Sequence, residues 1–413
     1  MTFKRSIYLY LCLLLGVLSM AAGTPAEDFA SAVRGKVGVM VIDLKADTVV
    51  TAINMSEPLT PASITKSLTI ASTLRKSGPD YKYHTRVYAT GPIKDGVLEG
   101  NLLIVGGGDP SLGADVDPKG TDICSEIAEA LRKHHVREIK GRIITDSSIF
   151  TDSPTHPTWG SGDLAHSYGT GCHGLNYRRN ASGKSAVKNP QGVLVATINK
   201  TLGNSGITVA GDTIASTERK KELLNHVSPP VSEIMRSCMM RSDNLYAEAL
   251  LRTYALLETK NGATDAGAKR ETEYWTKKGA PMSGVKIVDG SGLSRSNKLT
   301  ANFLAYVLAQ MADDEVYASF FPLAGQEGTV RNLFKNTQLD SYVALKTGTM
   351  RGVRCLAGYK LDDEFAPTHA IVIIANDCPG GAAAVNKAAQ KMLLDIFYPE
   401  AADYTQSLST QNN

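Results

Sequence analysis

The chain has 413 residues, 43% of them hydrophobic and 21% charged, and a formal charge of +3 to which Lys4 and Arg5 contribute two. That length can bury one large core or two smaller ones. The composition argues against a disordered chain or a polytopic membrane protein, and the near-neutral charge against a nucleic-acid or anionic-membrane partner.

Lys4 and Arg5 precede an apolar run at 7–18, too short for a comfortable membrane span, and the small residues Ala21, Ala22 and Gly23 follow. This is the pattern of a secretory signal over 1–23. The expectation is export to the periplasm with no integral span after cleavage; an N-terminal anchor is the competing reading. Without Cys12 the chain keeps Cys124, Cys172, Cys238, Cys355 and Cys378. Such an odd, widely spaced set is no disulfide framework and reads as small buried apolar residues.

Residues 37–43 and 48–53 predict a hairpin turned at Lys45-Ala46-Asp47. After Pro61 an apolar helical pattern runs to about residue 75, where Gly78-Pro79 stops it. From about residue 84 short strands are expected at 85–90, 98–105 and 139–145, with a helix at about 122–134. Gly106-Gly107-Gly108-Asp109-Pro110 is a tight turn and no phosphate loop, because no Gly-Lys-Ser/Thr follows it into a helix. Residues 151–190 are polar and weakly periodic, hence loop. Residues 192–198 read as a strand.

Helical patterning returns at 231–257, 266–278 and 299–312. Three strands are expected at 342–345, 353–359 and 369–376, and a final helix at 382–397 packed on the sheet. The tail at 405–413 is polar and expected to fray. The fold class is therefore mixed α/β (α+β). Two N-terminal and three C-terminal strands complete a five-stranded antiparallel sheet with flanking helices. Residues 24–83 and 221–413 then form one discontinuous domain, interrupted by an inserted, mainly β domain at 84–220.

Three strings carry the chemistry: Ser63-Ile64-Thr65-Lys66, Ser242-Asp243-Asn244 and Lys346-Thr347-Gly348. A serine hydroxyl needs a base to become a nucleophile. At i and i+3 on one helix face, Ser63 and Lys66 can touch. A helix start adds free N–H groups and the positive end of the dipole. Lys66 acts as base only if burial and a second cation, Lys346, lower its pKa. Ser242 is placed to relay a proton and Asn244 to hold a substrate amide, while Asp243 points into structure. Thr347 and Thr349 offer hydroxyls to a carboxylate, and Gly348 allows close approach of a ligand backbone. The backbone N–H groups of Ser63 and Thr349 can form an oxyanion hole.

Ser-x-x-Lys arises by chance roughly once in a chain this long, and Ser185-Ala186-Val187-Lys188 is such a decoy, in a polar stretch beside Gly183 and Pro190. Order and context select the three strings above. His166, His173 and the other histidines show no metal-ligand spacing, so no metal or other cofactor is expected.

With these residues in place, the sequence resembles the penicillin-binding proteins and serine β-lactamases. Within them it resembles the class C D-alanyl-D-alanine carboxypeptidase/endopeptidases of the penicillin-binding protein 4 type. Pro61-Ala62-Ser63-Ile64-Thr65-Lys66 is similar to the nucleophile segment. Gly106-Gly107-Gly108-Asp109-Pro110-Ser111-Leu112 is similar to a segment of the family's inserted domain. Ser242-Asp243-Asn244-Leu245-Tyr246-Ala247-Glu248 is similar to its second motif, and Asp289-Gly290-Ser291-Gly292-Leu293-Ser294-Arg295 and Lys346-Thr347-Gly348-Thr349 to later ones.

The resemblance implies a β-lactamase/transpeptidase-like fold, with Ser63 as acylated nucleophile, Lys66 as its base, and Ser242, Asn244 and Lys346 completing the site. It implies peptidoglycan stem peptides as substrates and β-lactams as covalent inhibitors. It implies a pocket for the substrate's diamino acid, with Ser291, Arg295 and Asp163 as candidate residues. The stretch between Lys66 and Ser242 is shorter than two nested insertions need, so one insertion is expected. The rival readings are a serine β-lactamase and a catalytically silent penicillin-binding sensor.

Overall fold

The computed structural model describes residues 23–114 and 122–399. Most of the expected signal segment and the polar tail at 405–413 lie outside the described residues.

Nearest the N-terminus, helix α1 (Pro25–Val33) starts with a capping box: the Glu27 N–H donates to Thr24 Oγ1 (3.3 Å) and the Thr24 N–H to Glu27 Oε2 (2.7 Å). Strands β1 (Lys36–Asp43) and β2 (Thr48–Ile53) form the expected hairpin. Helix α2 (Thr65–Ser77) follows a 3₁₀ turn, Ala62–Ile64.

Four strands then build a separate sheet: β3 (His84–Ala89), β4 (Leu102–Val105), β5 (Ile143–Asp146) and β6 (Lys221–Val227), in the order β6-β3-β4-β5. Helices α3 (Ile123–Lys133) and α4 (Pro190–Asn204) cover one of its faces. Val87, Leu102, Ile104 and Ile143 of the sheet share a core with Ile127, Leu131, Leu194 and Ile198.

Two expectations are corrected in this region. Residues 192–198 are helix, not strand: Asn189 Oδ1 accepts from the Gly192 N–H (2.9 Å), Pro190 opens the first turn, and Leu194, Ile198 and Leu202 recur every fourth residue on the buried face. The strand expected at 98–105 is broken where the Gly100 and Gly91 backbones pass close together; Leu102–Val105 stays in this sheet and Val97–Leu98 joins a small separate one. Residues 221–227, expected in the discontinuous domain, pair with β3. Their half-exposed pattern, Leu223 and Leu224 included, suits a sheet edge.

The chain returns with α5 (Val231–Arg241), α6 (Asn244–Thr259), α7 (Thr264–Lys277) and α8 (Ala301–Met311). The single helix expected at 231–257 is two, divided at Ser242-Asp243. Strands β7 (Val343–Met350), β8 (Val353–Leu361) and β9 (Pro367–Asn376) and helix α9 (Gly381–Phe397) complete the fold.

The five-stranded sheet has the order β7-β8-β9-β1-β2, every neighbour antiparallel. Its side chains alternate between two cores, as strand periodicity requires. Met40, Ile42, Val372 and Ile374 face α2, α5, α6 and α8. Val39, Val41, Ile371 and Ile373 face α1 and α9. Both faces are covered, which explains why Val37 to Ile42 are all buried.

Candidate active site

Ser63 sits in the 3₁₀ turn and Lys66 in the first turn of α2, fully buried. Ala62 holds φ +48°, a left-handed value that a non-glycine residue adopts only when its surroundings enforce it. The enforcing neighbours are Gly348 and Gly292. A Cβ on Gly348 would meet the Pro61 carbonyl at 2.6 Å, and one on Gly292 would meet the Ala62 carbonyl at 1.9 Å. Gly348 thus permits close approach of the turn that carries Ser63.

Lys66 Nζ lies 2.9 Å from Ser63 Oγ, 2.6 Å from Asn244 Oδ1 and 2.7 Å from the Ser291 carbonyl oxygen. Two of these partners can only accept. A neutral lysine amine has two N–H bonds and one lone pair. With both N–H groups held by Asn244 and Ser291, the lone pair is directed at the Ser63 hydroxyl. In that form the amine keeps one open direction, towards Ser63 Oγ.

The second string is shaped by a break between helices. Ser242 takes φ +56° and caps α5, its N–H bonding to Cys238 O. Asp243 caps α6 by accepting from the Tyr246 N–H (3.2 Å), and it forms an ion pair with Arg179. Asp243 is therefore structural, as expected. Asn244 donates through Nδ2 to the Tyr168 carbonyl (2.8 Å), which orients its oxygen towards Lys66.

The third string lies on β7, an edge strand. Lys346 is fully buried, and its Nζ donates to Ser242 Oγ (2.9 Å) and the Thr347 carbonyl (2.7 Å). Ser63, Lys66 and Asn244 thus form one hydrogen-bonded group and Ser242 and Lys346 a second, and the charge of Lys66 acts on Lys346. Thr347 Oγ1 donates to Thr329 Oγ1 (2.8 Å), and Thr349 Oγ1 accepts from Arg354 Nη1 (2.8 Å).

The pocket candidates divide. Ser291 is fully buried; its Oγ accepts from the Leu293 N–H (3.2 Å) and its carbonyl faces Lys66 Nζ. Arg295 is exposed and donates to the Arg351 carbonyl (2.9 Å) on the β7–β8 turn. Asp163 accepts from the Tyr168 hydroxyl (3.0 Å), one residue removed from Asn244 through Tyr168.

Sequence reasoning missed the residues that hold these in place. Asp289 takes hydrogen bonds from the Gly292 and Ser294 N–H groups, Asn297 Nδ2 and Trp159 Nε1. Glu248 accepts from the Ser291 N–H (2.8 Å). The one available signal was the i, i+4 spacing of Asn244 and Glu248, which puts both on one helix face. The decoy Ser185 pairs with Ser182 in a short two-stranded ribbon and does not itself lie on a helix.

Burial lowers the pKa of Lys66, opposed by Cys238, Asp289, Glu248 and Asp243. Burial, then the Lys66 cation, hold Lys346 well below the ordinary lysine value. Burial and the neighbouring Asp289 push Glu248 up to about 7. Among the described residues no cluster of three or more His, Cys, Asp or Glu could hold a metal. A groove of about 700 Å³ lined by Arg236, Phe321, Leu323, Leu361 and Phe365 contains none of the converging groups.

Comparison with known proteins bears on the family and the fold. The model of the D-Ala-D-Ala carboxypeptidase 3 (S13) family matches residues 26–182 and 178–395. The D-alanyl-D-alanine carboxypeptidase of Actinomadura sp. (strain R39) is 25% identical over 409 residues, covering 78% of this chain and 74% of the relative. D-alanyl-D-alanine carboxypeptidase DacB of Haemophilus influenzae is 23% identical over 400 residues, covering 78% and 82%. The crystal structure of penicillin binding protein 4 (dacB) from H. influenzae superposes with a TM-score of 0.77 at 20% identity, over 90% of this chain and 99% of that one. A predatory endopeptidase from Bdellovibrio bacteriovorus gives 0.55 at 14% identity, over 87% and 92%. The last two show a shared fold.

Proposed function

The chain belongs to the D-Ala-D-Ala carboxypeptidase 3 (S13) family, and on that premise we propose that it is a serine D-Ala-D-Ala carboxypeptidase acting on peptidoglycan stem peptides. Ser63 Oγ attacks the carbonyl between the two D-alanines while Lys66 takes its proton. The N–H groups of Ser63 and Thr349 receive the developing oxyanion. Ser242, bonded to Lys346, gives its hydroxyl proton to the departing D-alanine nitrogen and is reprotonated with the proton that Lys66 took from Ser63; water then adds to the acyl carbonyl, and Ser63 Oγ leaves with the proton that the water gives up. Lys346, Thr347 and Thr349 bind the terminal carboxylate. The same transfer with a cross-linked amine as leaving group is a D,D-endopeptidase reaction, which digestion of cross-linked muropeptides reads directly.

The observation that carries this reading is the Lys66 amine, which faces two fixed acceptors and a single hydroxyl, that of Ser63. β-Lactams place a strained amide at the same serine and are covalent inhibitors. The H. influenzae protein has also been crystallised with a β-lactam, and that complex superposes on this chain at a TM-score of 0.70. The reaction is assigned to the periplasm on the basic and apolar N-terminal pattern. Among the described residues no helix is long and apolar enough to cross a membrane. Residues 84–227 are assigned as one insertion; its loop at 151–190 supports the site through Tyr168 and Arg179.

Fluorescent penicillin tests the mechanism. A covalent label on the wild type that is absent from Ser63→Ala is expected. A label that survives in the variant refutes it.

A further inference from the structure

Lys66 is held by two groups from other parts of the chain, Asn244 on α6 and the Ser291 carbonyl. Both lead to Glu248. It lies one helical turn after Asn244 on the same face of α6, and its Oε1 accepts from the Ser291 N–H at 2.8 Å. The Asp289–Ser294 turn is fixed from two further sides, by Asp289 within it and by Thr69 Oγ1 of α2 donating to the Gly290 carbonyl (3.0 Å). Glu248 is the carboxylate behind Lys66, 1% exposed.

We propose that Glu248 is the positioning residue for the Lys66 base: it holds the turn so that the Ser291 carbonyl takes one N–H of the amine, and its carboxylate is one of the buried charges that bear on the proton of that amine.

The second half follows from electrostatics. A carboxylate near a buried amine favours the ammonium form. Glu248 acts on Lys66 in that direction. The other titratable groups around it are Asp289 on the turn, Arg252 on α6, Glu271 on α7, Cys172 in the 151–190 loop and Cys238 on α5. Arg252 is itself engaged by Asp152 (2.8 Å). Burial and Asp289 raise Glu248, so its charge changes near neutrality. With Glu248 neutral, Lys66 gives up its proton more readily. With Glu248 ionised, Lys66 holds it.

This inference rests on the acyl-enzyme reading above. The test is the second-order rate of Ser63 acylation by fluorescent penicillin, followed from pH 5 to 9 in the full chain. Glu248→Gln keeps an oxygen acceptor for the Ser291 N–H and removes the charge. Its acid limb is expected about one pH unit below that of the wild type. Glu248→Asp keeps the charge and shortens the reach. Its acid limb is expected within about 0.3 units of the wild type, with a plateau about tenfold lower because the turn is less well held. A Glu248→Gln profile that superimposes on the wild type overturns the proposal. Should Glu248→Gln not fold, the Asp variant decides, and wild-type plateau and limb together overturn it. Failure of the wild type to label removes the acyl-enzyme reading itself, a result distinct from both.

Discussion

Lys66 and Asn244, 178 positions apart in the chain, are joined by a hydrogen bond of 2.6 Å. The amide oxygen is a neutral acceptor, so it holds the amine without stabilising the ammonium as a carboxylate would. Asn244→Asp adds that charge. The pKa of Lys66 should rise, and the acid limb of penicillin acylation should move about one pH unit upward. Asn244→Ala removes the acceptor and should slow acylation about a hundredfold at pH 7 without moving the limb upward.

Removing the nucleophile or base has a separate signature. Ser63→Ala and Lys66→Met should each abolish covalent labelling and D-alanine release, a loss of about 10³-fold or more. Ser63→Ala should keep stability within about 0.5 kcal/mol. Intact-mass measurement after incubation with penicillin checks the first statement and thermal unfolding the second. Rapid nitrocefin turnover by the wild type, in place of stoichiometric labelling, would favour the β-lactamase reading.

The packing of β7 on the nucleophile turn gives a third expectation. In Gly348→Ala the new methyl would lie 2.6 Å from the Pro61 carbonyl and 3.1 Å from Cys355 Cβ. Overpacking of this kind costs about 1–3 kcal/mol. Because the displaced turn carries Ser63, acylation should fall as well. A variant with wild-type unfolding temperature and acylation rate would show that the turn is not held from β7.

Arg179 and Asp243 tie the 151–190 loop to the break between α5 and α6, with the Asp243 side chain 4% exposed and the Arg179 side chain 40%. Arg179→Met strands a buried carboxylate and should destabilise by about 2 kcal/mol, less than for a fully buried pair because the arginine is partly solvated. Adding Asp243→Asn should recover part of that loss. A double-mutant cycle of urea midpoints measures the coupling.

Stability should also report Glu271 of α7, which burial pushes up from the ordinary 4.5 to about 8. A carboxyl whose folded pKa is raised stabilises the fold fully below its unfolded value, and that contribution is lost as pH rises through the folded value. Wild-type stability should therefore decline from about pH 4.5 to about pH 8 relative to Glu271→Gln, which does not titrate. Unfolding midpoints of the two proteins across that range should diverge in the variant's favour; parallel curves would contradict the buried neutral carboxyl.

Much of the fold was legible because local signals were strong. The β1–β2 hairpin, the stop of α2 at Gly78-Pro79 and the three C-terminal strands all follow from alternation and turn chemistry. The failures have physical causes. Residues 192–198 look like a strand in a seven-residue window, and only Leu202 beyond it completes the helical spacing. The α5–α6 break is invisible to periodicity, because Ser242 enters the left-handed region under tertiary constraint.

By itself the sequence determined the candidate groups for the chemistry: a serine and a lysine one helical turn apart, a second serine with an asparagine, and a second lysine on a strand. Their types and local spacing are local properties, written in adjacent residues. What only the tertiary structure decided is which partners each group meets. The Ser291 carbonyl, Glu248 and the close approach of Gly348 to Pro61 involve backbone atoms and buried side chains separated by long stretches of chain. A backbone carbonyl has no sequence identity, so nothing in the order of residues announces that it will face Lys66. The protonation state of that lysine is therefore a property of the fold.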